Sequence, residues 1–159
     1  YVPYMVSHLF SIPDMQEYAY HRLVRFYEYT LDKGGFSAYN IPTYTIVALD
    51  VLESMIRHIT NEECLQLIDY VYSSSLDMIA CHYHAPTGQW TGPQSRAYRT
   101  LATPSFYGIL KQGSDGKIDL GYEPERSDVK IKHSIPESLY PYFLSPAYPR
   151  TETDIFEKN

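Results

Sequence analysis

Only two or three residues separate a helical pattern that ends near Ile59 from the next, which begins at Thr60-Asn61. So short a joint forces the two helices to lie antiparallel and side by side. The first runs from Pro42 to about Ile59 through Ile46, Val47, Leu49, Leu52, Met55, Ile56 and Ile59, with Pro42 in the first turn, where its missing N–H is harmless. The second opens on Thr60-Asn61-Glu62-Glu63, which reads as a capping box. It continues through Leu65, Leu67, Ile68, Val71, Tyr72, Leu76, Met78 and Ile79 to about His82, before Pro86-Thr87-Gly88. An earlier helix is expected over Asp14 to Lys33, between Pro13 and Gly34-Gly35.

Each of the three patterns carries a wide apolar stripe, so the fold class is mainly α, part of a larger array of antiparallel helical hairpins. Residues 1–100 form the helical region. Residues 101–159 read as an irregular extension: a turn at Gly113-Ser114-Asp115-Gly116, a short strand over Asp128-Val129-Lys130-Ile131-Lys132, a capped short helix from Ser134 to Phe143, and a Pro-rich tail. The chain starts at Tyr1, and its first ten residues look like packed interior, which points to a processed or partial chain. A secreted or periplasmic location is favoured if a leader preceded it.

Charge narrows the partners. With 159 residues, a formal net charge of −6 and pI near 5.4, the chain lacks the basic face that neutralising many phosphates requires, so nucleic acid is not expected. No apolar run approaches the roughly 18 residues that span a bilayer, so no membrane partner is expected. Cys64 and Cys81 fall within one helix, roughly 25 Å apart at the helical rise, and cannot bridge. No phosphate-cradling glycine loop or Gly-x-Ser-x-Gly elbow occurs, and no cofactor is expected. His82 and His84 would point about 200° apart on a helix with no third ligand at fixed spacing, which argues against a metal. His8, His21, His58 and His133 read as surface or satisfied core groups.

Functional chemistry concentrates in two loops. Because the helices on either side are antiparallel, the loop before the second helix (residues 36–44) and the loop after the third (82–98) fall at one end of the pair. Together they gather Tyr39, Asn40, Tyr44, His82, His84, Trp90, Gln94, Arg96 and Tyr98. Tyrosine is the compositional outlier, with 17 copies against one Trp, and phenols suit a saccharide's flat C–H faces ringed by hydroxyls. Such a set fits β-elimination from a uronic acid polymer, in which a base removes the C5 proton while donors hold the sugar carboxylate. Tyr44 or Tyr98 would be the phenol and His82 or His84 would assist. Asn40 and Arg96 would clamp the carboxylate, with Tyr39, Trp90 and Gln94 lining the substrate. Trp90 reads also, and by preference, as the hydrophobic anchor of its own loop. Arg96 would meet a ligand carboxylate or an internal one from Asp50, Asp69 or Asp77.

The runs Tyr39-Asn40-x-Pro42-Thr43-Tyr44, His82-x-His84-x-Pro86-Thr87-Gly88 and Gly92-Pro93-Gln94-Ser95-Arg96-Ala97-Tyr98 resemble a family of uncharacterised helical-toroid proteins allied to heparinase II/III-like polysaccharide lyases. The likeness covers roughly residues 14–100. It implies an (α/α) toroid of six-hairpin type, a following β-sandwich, and an acidic polysaccharide or oligosaccharide as substrate. Gln94 stands where that family carries His, and Ala38 where it carries an acidic residue. Two alternatives therefore stand beside the lyase: a glycoside hydrolase on the same scaffold, and a non-catalytic helical module that binds glycan or protein.

Overall fold

A computed structural model describes residues 2–37, 40–99, 101–123 and 131–154, and these are mainly helical. In chain order the helices are α1 (Val2–Leu9), α2 (Pro13–Lys33), α3 (Pro42–His58), α4 (Glu62–His82), α5 (Pro104–Gly113) and α6 (Tyr140–Leu144). A two-stranded antiparallel ladder, β1 (Tyr83–His84) with β2 (Gln89–Trp90), follows α4 directly and pairs Tyr83 with Trp90 and His84 with Gln89. None of these helices is long and apolar enough to cross a membrane.

The helix boundaries follow local chemistry. Proline at the first turn opens α2, α3 and α5, where the absent N–H has no helical partner to lose. Gly34, at φ +69°, closes α2 in the left-handed conformation that glycine adopts without steric cost. Asn61, not Thr60, caps α4: its Oδ1 accepts the Cys64 N–H at 2.9 Å, and Glu62 and Glu63 lie against the positive end of the helix. The N-cap is thus Asn61 and not the expected Thr60, and with Cys64 three residues on, the expected capping box is not formed.

Helix α4 is the centre of the molecule. It packs on α3 along one side and on α2 along another, with α6 near its end, and it buries residues on most of its circumference, from Cys64 and Ile68 through Val71, Leu76 and Ile79 to His82. Leu49 of α3 and Phe106 and Leu110 of α5 complete the core around it, each large side chain contributing about 1.5–3 kcal/mol by leaving water. Val2, Leu9 and Phe10 are exposed, whereas Tyr4 and Met5 pack against the core and Ser7 is buried, so the first ten residues are packed on one side only.

The described part of the C-terminal third holds more regular structure than its sequence suggests. Thr103 caps α5 through its hydroxyl, and Phe106, Ile109 and Leu110 form the buried face. The strand expected over 128–132 falls mostly outside the described residues, and Ile131 and Lys132 show no strand pairing. The next segment is pinned by a buried relay. Tyr72 Oη lies 3.2 Å from His133 Nδ1, and His133 Nε2 lies 3.0 Å from Asp50 Oδ1. Burial pushes the Tyr72 phenol far above its ordinary range. His133 is therefore a satisfied core group, and Asp50 belongs to it. The helix expected from Ser134 to Phe143 is a single 3-10 turn, Glu137–Leu139, followed by α6.

One polar atom is left over. The hydroxyl of Thr45, fully buried in α3, has no hydrogen-bond partner among the described residues. Exchanging it for a methyl group removes an unsatisfied donor at nearly constant shape. Thr45→Val should therefore raise unfolding stability by about 1 kcal/mol in chemical denaturation, and a loss of stability would show that the hydroxyl has a partner.

Candidate functional site

The two loops do meet, and Asn40 is where they join. Held at φ +48° ahead of α3, Asn40 is fully buried. Its Nδ2 donates to the carbonyls of Thr91 at 2.9 Å and Pro93 at 3.0 Å, while its Oδ1 accepts the Trp90 indole N–H. Every polar atom of the side chain is committed to the fold. Asn40 is thus a latch between loops and presents nothing to a ligand's carboxylate. Trp90, buried against Phe106, is the anchor of its loop and not a stacking platform.

Gly92 completes this junction. At φ +93°, a conformation that L side chains rarely adopt, it brings its backbone so near the neighbours that an added Cβ would lie 2.8 Å from His82 Cδ2 and 3.2 Å from Asn40 Nδ2. Beyond the latch the sequence-identified residues divide between two places. Tyr39, with Ala38, lies outside the described residues. Gln94 is half-buried on the intervening loop.

The first place is an exposed tip. Tyr44 at the start of α3 and Tyr98 on the late loop meet edge to face, with ring centroids 5.4 Å apart and hydroxyls 3.2 Å apart. They are 45% and 52% exposed, enough of each ring to receive a ligand. Arg96 Nη1 stands 3.5 Å from Tyr98 Oη. The Tyr44 hydroxyl and the Arg96 guanidinium favour the phenolate of Tyr98 and hold its pKa below the ordinary phenol value, while Tyr44 is pushed the other way by its neighbour. Arg96 has no carboxylate partner among the described residues. It is exposed, so neither Asp50, Asp69 nor Asp77 holds it.

The second place is a polar cleft of about 500 Å³ at the C-terminal end of α4, bordered by His82, His84, Gly92, Tyr148, Glu152 and Asp154. His82 is buried, with Nδ1 2.8 Å from the Met78 carbonyl and Nε2 3.1 Å from Asp154 Oδ2. His84 Nδ1 lies 2.8 Å from Thr87 Oγ1, and its ring meets that of Tyr148 at 5.3 Å. Arg150 Nη2 donates to the carbonyls of Ala80, Cys81 and Tyr83, and its Nε lies 3.0 Å from Glu152 Oε1. Burial, reinforced by Glu152, pushes the Cys81 thiol up to about 11, which makes it a poor nucleophile near neutrality.

Sequence reasoning missed Tyr148, Arg150, Glu152 and Asp154, because the tail that carries them has no periodicity and returns to α4 some 70 residues later in the chain. Asn40 and Arg96 flank no common cavity, since Asn40 lies inside the fold and Arg96 outside it. His82 and His84 therefore belong to chemistry other than that of Tyr98. Among the described residues no group of three or more His, Cys, Asp or Glu could hold a metal ion. No family model, curated protein or solved structure matches the chain.

The latch makes a sharp structural forecast. Gly92→Ala should destabilise the protein by about 1–3 kcal/mol through backbone strain and the contact with His82. Asn40→Ala should cost a similar amount by stranding the Trp90 N–H and leaving the loop carbonyls of Thr91 and Pro93 without their donor. Thermal melts of the two variants check this, and an unchanged midpoint for Asn40→Ala would remove it from the latch.

Proposed function

We propose that this is a carbohydrate-active helical protein that cleaves an acidic polysaccharide by β-elimination, with Tyr98 as the base and Arg96 as the carboxylate holder. The observation that carries the reading is the tip itself, an exposed phenol whose ionisation is favoured by the Tyr44 hydroxyl and, next to it, by a guanidinium that has no carboxylate partner among the described residues. A phenol needs such help to work as a base near neutral pH.

In this scheme the Tyr98 phenolate takes the proton at C5 of a uronic acid residue. The freed electron pair forms the C4–C5 double bond, the C4–O bond breaks, and the leaving oxygen receives a proton from the Tyr44 hydroxyl. Arg96 pairs with the sugar carboxylate and takes up the charge that gathers on it as the C–H bond opens. The Tyr44 and Tyr98 rings supply apolar faces for the sugar. The antiparallel α3–α4 pair is the hairpin unit from which an (α/α) toroid is built, and this supports placing the chain in such an array.

Incubation with alginate, glycosaminoglycan and pectate, followed by the absorbance of the unsaturated product, tests the reading. Product from one of them, lost in Tyr98→Phe and in Arg96→Ala, is the expected result. Silence on all three, or an unchanged rate for Tyr98→Phe, overturns it. The base must be ionised, so the rate rises with pH as Tyr98 loses its proton. The rise should level off below the ordinary phenol pKa of about 10 and move to higher pH in Arg96→Ala. Subtracting the ultraviolet phenolate titration of Tyr98→Phe from that of the parent isolates the same ionisation without any substrate.

The polar cleft supports glycoside hydrolysis as a second reading, because Glu152 and Asp154 bring two carboxylates beside the buried His82 imidazole. Hydrolysis lost in Asp154→Asn and in Glu152→Gln but retained in Tyr98→Phe would select it. Calorimetric binding of a glycan without product by either route would select the non-catalytic module.

A further inference from the structure

Helix α4 holds α2 on one side and α3 on another, and between those two runs an apolar trough of about 730 Å³. Its α3 wall is an apolar stripe beside the one packed on α4: Val47 and Ala48 stand four and three residues before Val51, and the buried Met55 stands four after it. Leu23 and Phe26 of α2 form the facing wall. Val47 is 53% exposed and Val51 is 40% exposed, so α3 is apolar on a side that nothing in the described chain covers. A helix apolar on two faces is built to be covered on both.

The charges around this trough say what covers it. In an acidic chain, Lys33, Arg57, Lys111, Lys117, Lys132 and Arg150 each hold a carboxylate within 3.0 Å. Arg22, which lines the trough, meets only the hydroxyl and ring face of Tyr18 on its own helix. Arg25, one turn along, borders with Arg22 a shallow depression that continues past Phe26. Neither has a carboxylate partner among the described residues, and no carboxylate lines the trough. Arg96, tied through Tyr98 to Tyr44, adds a third such cation at the α3 end.

Shape narrows the occupant further. From Tyr44 to Met55 the α3 wall is about 16 Å long at the helical rise. A helix lying along it would span that length in about three turns. A symmetric pair of these chains would set trough against trough, leaving both concavities unfilled and bringing like-charged arginines together. We infer that the trough between α2 and α3 is a docking groove for an acidic amphipathic helix of another protein, apolar at i, i+3/i+4 and i+7 and flanked by carboxylates that pair with Arg22 and Arg25.

The probe is a synthetic helix of about 16 residues with leucines at that spacing and glutamates on both flanks, beside a twin carrying lysine at every glutamate. Titrated into the intact chain by fluorescence anisotropy, the glutamate peptide should bind and the lysine twin should not. Arg22→Gln with Arg25→Gln should weaken binding and flatten its salt dependence. Val51→Asp should weaken it by about tenfold or more through a charge forced into the apolar contact, and Val47→Asp, on the same exposed stripe, gives an independent check on folding-competent protein. Absence of binding, equal binding of the two peptides, or binding indifferent to both valine variants overturns the inference. So does oleate that binds the groove, and loses binding in Val51→Asp, while the peptide does not bind, or a dimer of the chain that Val51→Asp dissociates. Tyr98→Phe should leave peptide binding intact, which separates this groove from the proposed chemistry of the tip.

Discussion

A helix buried around most of its circumference cannot leave its last carbonyls bare, and this requirement at the end of α4 shapes everything near it. The terminal carbonyls there are met by donors from the chain. Thr91 gives both its N–H and its hydroxyl to the His82 carbonyl, at 2.8 Å and 3.0 Å. Arg150 lays one guanidinium nitrogen across the carbonyls of Ala80, Cys81 and Tyr83 and rests its flat face on the Tyr142 ring, 5.2 Å away. A cation is well placed at that negative pole of the helix. The late loop and the C-terminal tail are both drawn to α4 by the same unmet acceptors.

The cleft and the latch are consequences of that closure. To bring Thr91 onto the end of α4, the 89–93 loop must cross close over His82, and only Gly92 allows the approach. Asn40 then supplies the donors that the crossing loop lacks, as it has turned away from its own strand partner. The tail passes on the far side and delivers Glu152 and Asp154 to the mouth. Residues that look like ligand-binding groups in the sequence, Asn40 above all, are here engaged in closing the fold. Groups on what reads as an irregular Pro-rich tail form the polar wall.

Legibility tracks how local the governing interaction is. The limits of α2, α3 and α4 could be read within one or two residues because Pro13, Pro42, Gly34 and the Asn61 region act on their own immediate backbone. The slip from Thr60 to Asn61 arose because both side chains can cap and only backbone geometry chooses between them. Helix α5 went unread: ten residues with Gly108 and Gly113 carry weak helical propensity, and its formation rests on burying Phe106, Ile109 and Leu110 against the rest of the chain. The meeting of the two loops followed from topology alone. Which side chains would face inward did not, because Asn40 and Arg96 have equally polar sequence surroundings and differ only in what the late loop offers them.

The distribution of charge points outward from the fold. Self-repulsion in a chain of net charge −6 favours pairing each cation with a nearby carboxylate, and the described cations of the C-terminal third do this, among them Lys111 with Asp119 and Glu123 and Lys117 with Glu137. An arginine left out of such pairs among so many carboxylates is the less expected outcome. Among the described residues Arg22, Arg25, Arg96 and Arg99 share that condition, and the first three lie beside the exposed side of α3 and the paired phenols of Tyr44 and Tyr98. Closing the end of α4 draws Arg150 inward, whereas these three arginines stay at the surface. That face therefore combines exposed apolar area with positive charge, the complement of an acidic ligand that also carries an apolar side.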